Sequence, residues 1–216
     1  MQGYNCTITT SDECINNGNC KECEYGEKVV ENMNNKKILY FIVAKSGCGK
    51  DYIINKICNK FNKKKVISAT TRSPRRGEKD THRFVSNEVA DKEFEQALGR
   101  TVFNGNRYYA TLDDIKDKDF YIIDQKGVET FDYSKCREEL GIEVNVIYIK
   151  SKWYIRAWNM LKRGDDLKNI ISRLRHDRKS FDDDYLERIS VMTFNSSDAL
   201  YRTFAHKFSV DDVKTD

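Results

Sequence analysis

The chain has 216 residues, of which 39% are hydrophobic and 33% charged, and a formal net charge of +4. That length suits one substantial domain with room for a small appendage, and the charge is too small to argue for nucleic acid by itself. No apolar run approaches the ~20 residues of a membrane span, and the N-terminus lacks the charged-then-apolar pattern of a signal peptide. The expectation is therefore a cytoplasmic protein with small-molecule partners, and with neither membrane nor nucleic acid among them.

Four of the seven cysteines, Cys6, Cys14, Cys20 and Cys23, crowd the start of the chain. Cys20-x-x-Cys23 is half of a zinc-binding pattern, and Cys6 and Cys14 complete four thiolates. Two readings stand open, a small Zn²⁺ site and an oxidisable tail. Residues 24–36 are rich in Glu, Asn and Lys and read as a linker, so the chain divides into an extension at 1–36 and a main domain at 37–210. Cys48, Cys58 and Cys136 read as reduced, mostly buried thiols.

From residue 37 strand and helix patterns alternate. Strands are expected at Ile38–Val43, Val66–Ala69, Phe120–Asp124, Val144–Ile149 and Ile189–Phe194. Helices are expected at 51–61, 88–98, 127–140, 152–163, 168–180 and 197–207. Apolar strands separated by helices predict a doubly wound α/β fold, with a parallel sheet of about five strands covered on both faces. The stretch 70–118 is more polar and irregular. It carries a hairpin signal around Asn104-Gly105-Asn106 and reads as a lobe inserted into the core.

The run Ala44-Lys45-Ser46-Gly47-Cys48-Gly49-Lys50-Asp51 follows the first apolar strand directly. A buried strand, a glycine-rich turn and a helix are the context of a phosphate-binding P-loop. Gly47 and Gly49 let backbone N–H groups turn inward around a phosphate, and Lys50 adds a point charge for the outer phosphates. The following helix points its N-terminus at the anion. Against the full G-x-x-x-x-G-K-[ST] pattern, Ala44 replaces the first Gly, and Asp51 replaces the Ser/Thr that normally touches Mg²⁺. A bare carboxylate ~4 Å from a phosphate charge costs roughly 4 kcal/mol at an effective dielectric of about 20. A metal between them reverses the sign, so Asp51 either holds Mg²⁺, directly or through water, or marks a weakened site.

Downstream comes Ser68-Ala69-Thr70-Thr71-Arg72-Ser73-Pro74-Arg75-Arg76-Gly77-Glu78. Arg72 and Arg75 sit on a turn stiffened by Pro74, and guanidinium groups match phosphate oxygens in bidentate geometry. A P-loop, this string, Phe84-Val85-Ser86, Tyr108-Tyr109-x-Thr111 and then an Arg163-Gly164…Arg173-Leu174 lid together resemble guanylate kinase over residues 38–208. The resemblance implies transfer of the ATP γ-phosphoryl to GMP or dGMP, with Mg²⁺, in purine nucleotide metabolism. It places Ser46, Gly47, Cys48, Gly49, Lys50, Asp51 and Asn195 at ATP. It places Ser68, Arg72, Arg75, His82 and Tyr109 at the acceptor phosphate, and Thr111 and Asp124 at the base. Arg163 and Arg173 match lid arginines that reach the transferring group, in a lid at about 160–175.

The departures concern the base more than the phosphates. His82 stands where the family has Tyr. The family's guanine-binding Glu falls on Arg100 by an ungapped count from Tyr109, and Glu93 or Glu95 replaces it only in a rebuilt loop. Ile122 replaces an Asp. Asn159 replaces a lid arginine, for which Arg156 or Lys162 is the candidate substitute. Three alternatives remain: the same chemistry on another base or deoxynucleotide, a non-catalytic guanylate-kinase-like binding module, and a nucleic-acid or zinc-dependent regulatory protein that uses the Cys-rich extension.

Overall fold

The computed structural model describes residues 37–74, 82–103 and 105–213. The four N-terminal cysteines, the 1–36 extension and Arg75 lie outside the described residues.

Strand β1 (Lys37–Ala44) runs into helix α1 (Lys50–Lys60) through the glycine turn. The chain continues through β2 (Ala69–Thr70), β3 (Arg83–Phe84), α2 (Asn87–Glu93), a 3₁₀ turn at Phe94–Gln96, β4 (Gly99–Phe103), β5 (Asn106–Ala110) and α3 (Leu112–Ile115). There follow β6 (Phe120–Ile123), α4 (Gln125–Thr130), α5 (Tyr133–Leu140), β7 (Ile142–Ile149), α6 (Trp153–Lys162), α7 (Leu167–Ser180), α8 (Asp183–Ile189), β8 (Met192–Phe194) and α9 (Ser197–Val213).

The main sheet has the parallel order β6-β1-β7-β8. β1 is central, and its last six residues are all buried, as a strand covered on both faces must be. Its side chains alternate between two cores. Leu39, Phe41 and Val43 face Tyr121, Val128, Phe131, Cys136 and Leu186. Tyr40, Ile42 and Ala44 face Ile53, Ile54 and Ile57 of α1 and Leu200, Phe204 and Phe208 of α9. A second sheet, ordered β3-β2-β5-β4, holds the inserted lobe. Its small core is Ala69, Ala90, Ala97 and Tyr109.

Four expectations change. The Val66–Ala69 strand contributes only an isolated bridge, Lys65 to Phe120, to the main sheet. With Ile67 exposed and Ser68 polar, Val66 alone is too little apolar surface for a fifth strand, and the chain crosses to the lobe as β2. The 88–98 helix loosens to a 3₁₀ turn and ends at extended Ala97. The 127–140 helix divides because Phe131 turns into the core against Phe41, while the Asp132 side chain accepts from Lys135 N–H and starts a new helix. Residue 189 closes α8 rather than opening β8. No helix among the described residues is long and apolar enough to cross a membrane.

Phe204 is 1% exposed and meets Tyr40 and Phe120 edge-on, with ring centres 5.0 and 5.3 Å apart. Phe204→Ala is expected to destabilise the protein by about 3–5 kcal/mol in urea unfolding; a loss under about 1 kcal/mol contradicts this core.

Candidate functional site

The turn between β1 and α1 is built on two glycines in the left-handed region, Gly47 at φ +79° and Gly49 at φ +85°. A Cβ on Gly47 would lie 2.5 Å from the backbone oxygen of Arg156. Only glycine permits that approach, for steric as well as conformational reasons. Ala44, in place of the motif's first glycine, needs no positive φ. Gly49 occupies the N-cap of α1 and offers no side-chain acceptor. The helix therefore begins without a side-chain cap from its N-cap residue, while the Lys50 backbone N–H meets the Cys48 sulfur. Lys50 opens the helix, with Nζ 3.9 Å from Asp51 Oδ2, and the Asp51 side chain is 70% exposed. Cys48 is buried, and burial pushes its thiol pKa up, which makes it an inert filler under the turn.

The first half of the turn is fastened to α6, α7 and α8. Asp177 on α7 is 2% exposed and accepts from Ser46 N–H at 2.9 Å, from Ser46 Oγ at 3.1 Å and from Arg156 Nη1 at 2.5 Å. Asn159, on the same helix as Arg156, donates to the Gly47 carbonyl at 2.9 Å. Lys45 pairs with Asp183 at 2.5 Å, and Tyr148 OH donates to the same oxygen. Burial alone would raise the Asp183 pKa, but the bonds from Lys45 and Tyr148 outweigh it and hold the carboxyl below its ordinary value. Removing one partner of a buried ion pair such as Arg156–Asp177 costs about 3–5 kcal/mol, whereas replacing both by apolar groups is often neutral. Arg156 Nε has no acceptor among the described residues, a further cost of about 1–3 kcal/mol.

The expected lid arginines flank this clamp. Arg163 ends α6 one turn beyond Asn159 and pairs with Asp165 through Nε at 3.1 Å and Nη2 at 2.5 Å. Its pKa is raised, chiefly by Asp165, with Asp51 of the turn adding to the effect. Arg173 is half-buried on α7, one turn before Asp177 and on the same face. Asn195 is exposed just after β8, and the neighbouring Ser196 accepts from Ala199 N–H at the start of α9.

In the lobe, Ser68 Oγ lies 3.0 Å from His82 Nδ1. Arg72 Nη1 donates to Ser73 O at 2.9 Å, and its guanidinium lies 5.5 Å from the Phe84 ring centre. Tyr109 is fully buried, and its OH donates to Glu93 Oε2 at 2.9 Å. Burial first, then Glu93, pushes its pKa up to about 12. Arg83 bridges Glu93 at 2.8 Å and Asp114 at 3.4 Å. Thr111 forms a capping box with Asp114 at the start of α3. Asp124 caps α4 through Gly127 N–H at 2.7 Å, and burial raises its pKa. Arg100, at the position of the missing Glu, lies opposite Tyr109 and pairs with Glu95 at 3.0 Å.

Ser46, Gly47, Gly49, Lys50 and Asp51 share one turn, and Arg163 lies near enough to feel the Asp51 charge. Arg173 lies one helical turn from Asp177 on α7, and Ser68, Arg72 and His82 lie in the lobe. Thr111 and Asp124 serve helix starts, and Tyr109 is held by Glu93. Sequence reasoning missed Asp177, Asp183 and the Glu93–Arg83–Asp114 cluster, because bonds between residues so far apart leave no spacing pattern. As for metals, no group of three or more His, Cys, Asp or Glu side chains among the described residues is placed to hold an ion. Asp51 is the one acidic residue of the turn.

No protein-family model matches the chain, and no curated protein matches it either. Among solved structures, the crystal structure of guanylate kinase from Anaplasma phagocytophilum matches with a TM-score of 0.51 and 17% identity. The match covers 81% of this chain and 86% of that one. At that identity the likeness shows a shared fold.

The Glu93 pKa is lowered, chiefly by the Arg83 hydrogen bond and further by Tyr109. A depressed carboxylate stabilises the fold above its unfolded pKa, and that contribution disappears as pH falls through the folded value. Glu93→Gln is therefore expected to destabilise the protein by about 1 kcal/mol at pH 7, a figure reduced for a partly exposed pair. The difference from wild type should shrink below about pH 4. A pH-independent difference in melting temperature would contradict the charged network.

Proposed function

We propose that the chain is a nucleoside monophosphate kinase of the guanylate kinase type, transferring the ATP γ-phosphoryl to GMP or dGMP. The observation that carries this reading is the uncapped N-terminus of α1 behind two left-handed glycines, with Lys50 at its first position. Backbone N–H groups and Lys50 hold the outer phosphates of ATP in this reading. Arg163 and Arg173 reach in from the lid. Ser68, Arg72, Arg75 and His82 hold the acceptor phosphate.

Exposed Asp51 offers Mg²⁺ a hard oxygen ligand, so the residue that departs from the P-loop pattern fits the metal. Asp51 would hold Mg²⁺, directly or through water, and the ion would supply charge neutralisation for the phosphates. An oxygen of the acceptor phosphate attacks the γ-phosphorus, the bond to the bridging oxygen breaks, and its electron pair leaves with ADP. Such a transfer needs positioning and positive charge rather than a covalent intermediate. Arg72 screens the repulsion between the two anions. A Zn²⁺ site at Cys6, Cys14, Cys20 and Cys23 is a separate proposal, tested by metal analysis of the reduced protein.

A second reading, the same transfer to a different base, is favoured by the Arg100–Glu95 pair at the expected guanine position. ADP formation from ATP–Mg²⁺ is measured against GMP, dGMP, AMP, dAMP, CMP, UMP and dTMP. Turnover with GMP or dGMP is expected, and turnover with another base alone transfers the reading to that substrate. Silence across the panel from folded protein overturns both in favour of the non-catalytic module. Lys50→Ala is expected to lower kcat by about 100-fold or more. Arg72→Ala is expected to raise the KM for the monophosphate about tenfold, and an unchanged KM removes Arg72 from the acceptor site.

A further inference from the structure

The Arg156–Asp177 pair is costly where it stands. Both side chains are buried, at 6% and 2% exposure, and Arg156 Nε finds no acceptor among the described residues. A pair selected only to hold two helices together would be replaced without loss by apolar side chains. What the apolar version would lack is the connection to the glycine turn. Asp177 spends both carboxylate oxygens there, one on Ser46 N–H and one on the Ser46 hydroxyl. Arg156 lies over the same segment, with Nη1 3.4 Å from Ser46 O and its own carbonyl against Gly47. Asn159 completes the contact at Gly47 O.

We propose that Asp177 is a positioning residue that makes the glycine turn and the lid helices one rigid unit. Its effect on chemistry passes through Arg173, which shares its face of α7 one turn away. The turn fixes Asp177, Asp177 fixes the rotation and height of α7, and α7 aims Arg173. This inference rests on the phosphoryl-transfer reading above. It goes beyond it by naming what holds the lid arginine in register with the P-loop.

Loss of the Asp177 carboxylate alone strands Arg156 in the interior and unsettles the lid. The informative variant is therefore Arg156→Met with Asp177→Leu, compared as full chain with wild type, Arg173→Ala and the triple variant. We expect the paired variant to unfold within a few degrees of wild type. Its kcat should fall about 30-fold, with the KM for ATP changed less than about threefold. Arg173→Ala should lower kcat about 100-fold in wild type but less than about threefold on the paired background. A paired variant with kcat within about threefold of wild type, or a full Arg173→Ala effect on that background, overturns the proposal.

Hydrogen exchange at the Ser46 amide needs no substrate. We expect it to be at least about tenfold faster in the paired variant, and unchanged exchange overturns the clamp whether or not the protein turns over. Wild-type protein that makes no ADP with any monophosphate removes the kinase reading instead, and the exchange result then decides the clamp on its own.

Discussion

Gly47 stands so close to the carbonyl of Arg156 that no side chain fits between them, and most of the site's geometry depends on that approach. It brings α6, from Arg156 to Met160, over the loop that leaves β1. The buried Asp177 carboxylate can then reach Ser46 from α7, while Asp183 takes Lys45 at the start of α8. The turn is thus held from three consecutive helices, and Gly49 at its end gives the following helix no side-chain cap. It is fixed on the side that meets these helices.

The lobe follows a different logic. Its core is small, and Tyr109 at its centre is both a packing residue and a hydrogen-bond donor. Glu93, Arg83, Asp114 and Thr111 form a connected polar cluster in which each charge has an opposite neighbour. Such a cluster fixes the angle between β3, β5 and α3, and with it the position of the strand end that carries Arg72. Tyr109 is thus held within the lobe by its bond to Glu93.

Much of this was legible in the chain. The apolar run before Ala44, the glycines and Lys50 act locally, so the strand, turn and helix and their order follow from neighbouring residues. The paired glycine and asparagines at 104–106 marked the β4–β5 hairpin for the same reason. What was not legible depends on distant partners. Asp124 and Thr111 also cap helices, through Gly127 N–H and Asp114, and only the fold brings those partners to them. Asp177 reads as one more surface acid on a basic helix until the fold sets Ser46 beside it. The fifth strand failed because its neighbour gives Lys65 and Val66 a partner at Phe120 but no further apolar surface to cover.

The measurement that bears most directly on this site is calorimetric titration of the full chain with ATP–Mg²⁺, alongside Lys50→Ala. One ATP bound per chain, with binding lost in Lys50→Ala protein that remains folded, is the expected result. No binding to folded wild-type protein, or equal binding to both proteins, would contradict the assignment of the glycine turn as the phosphate site.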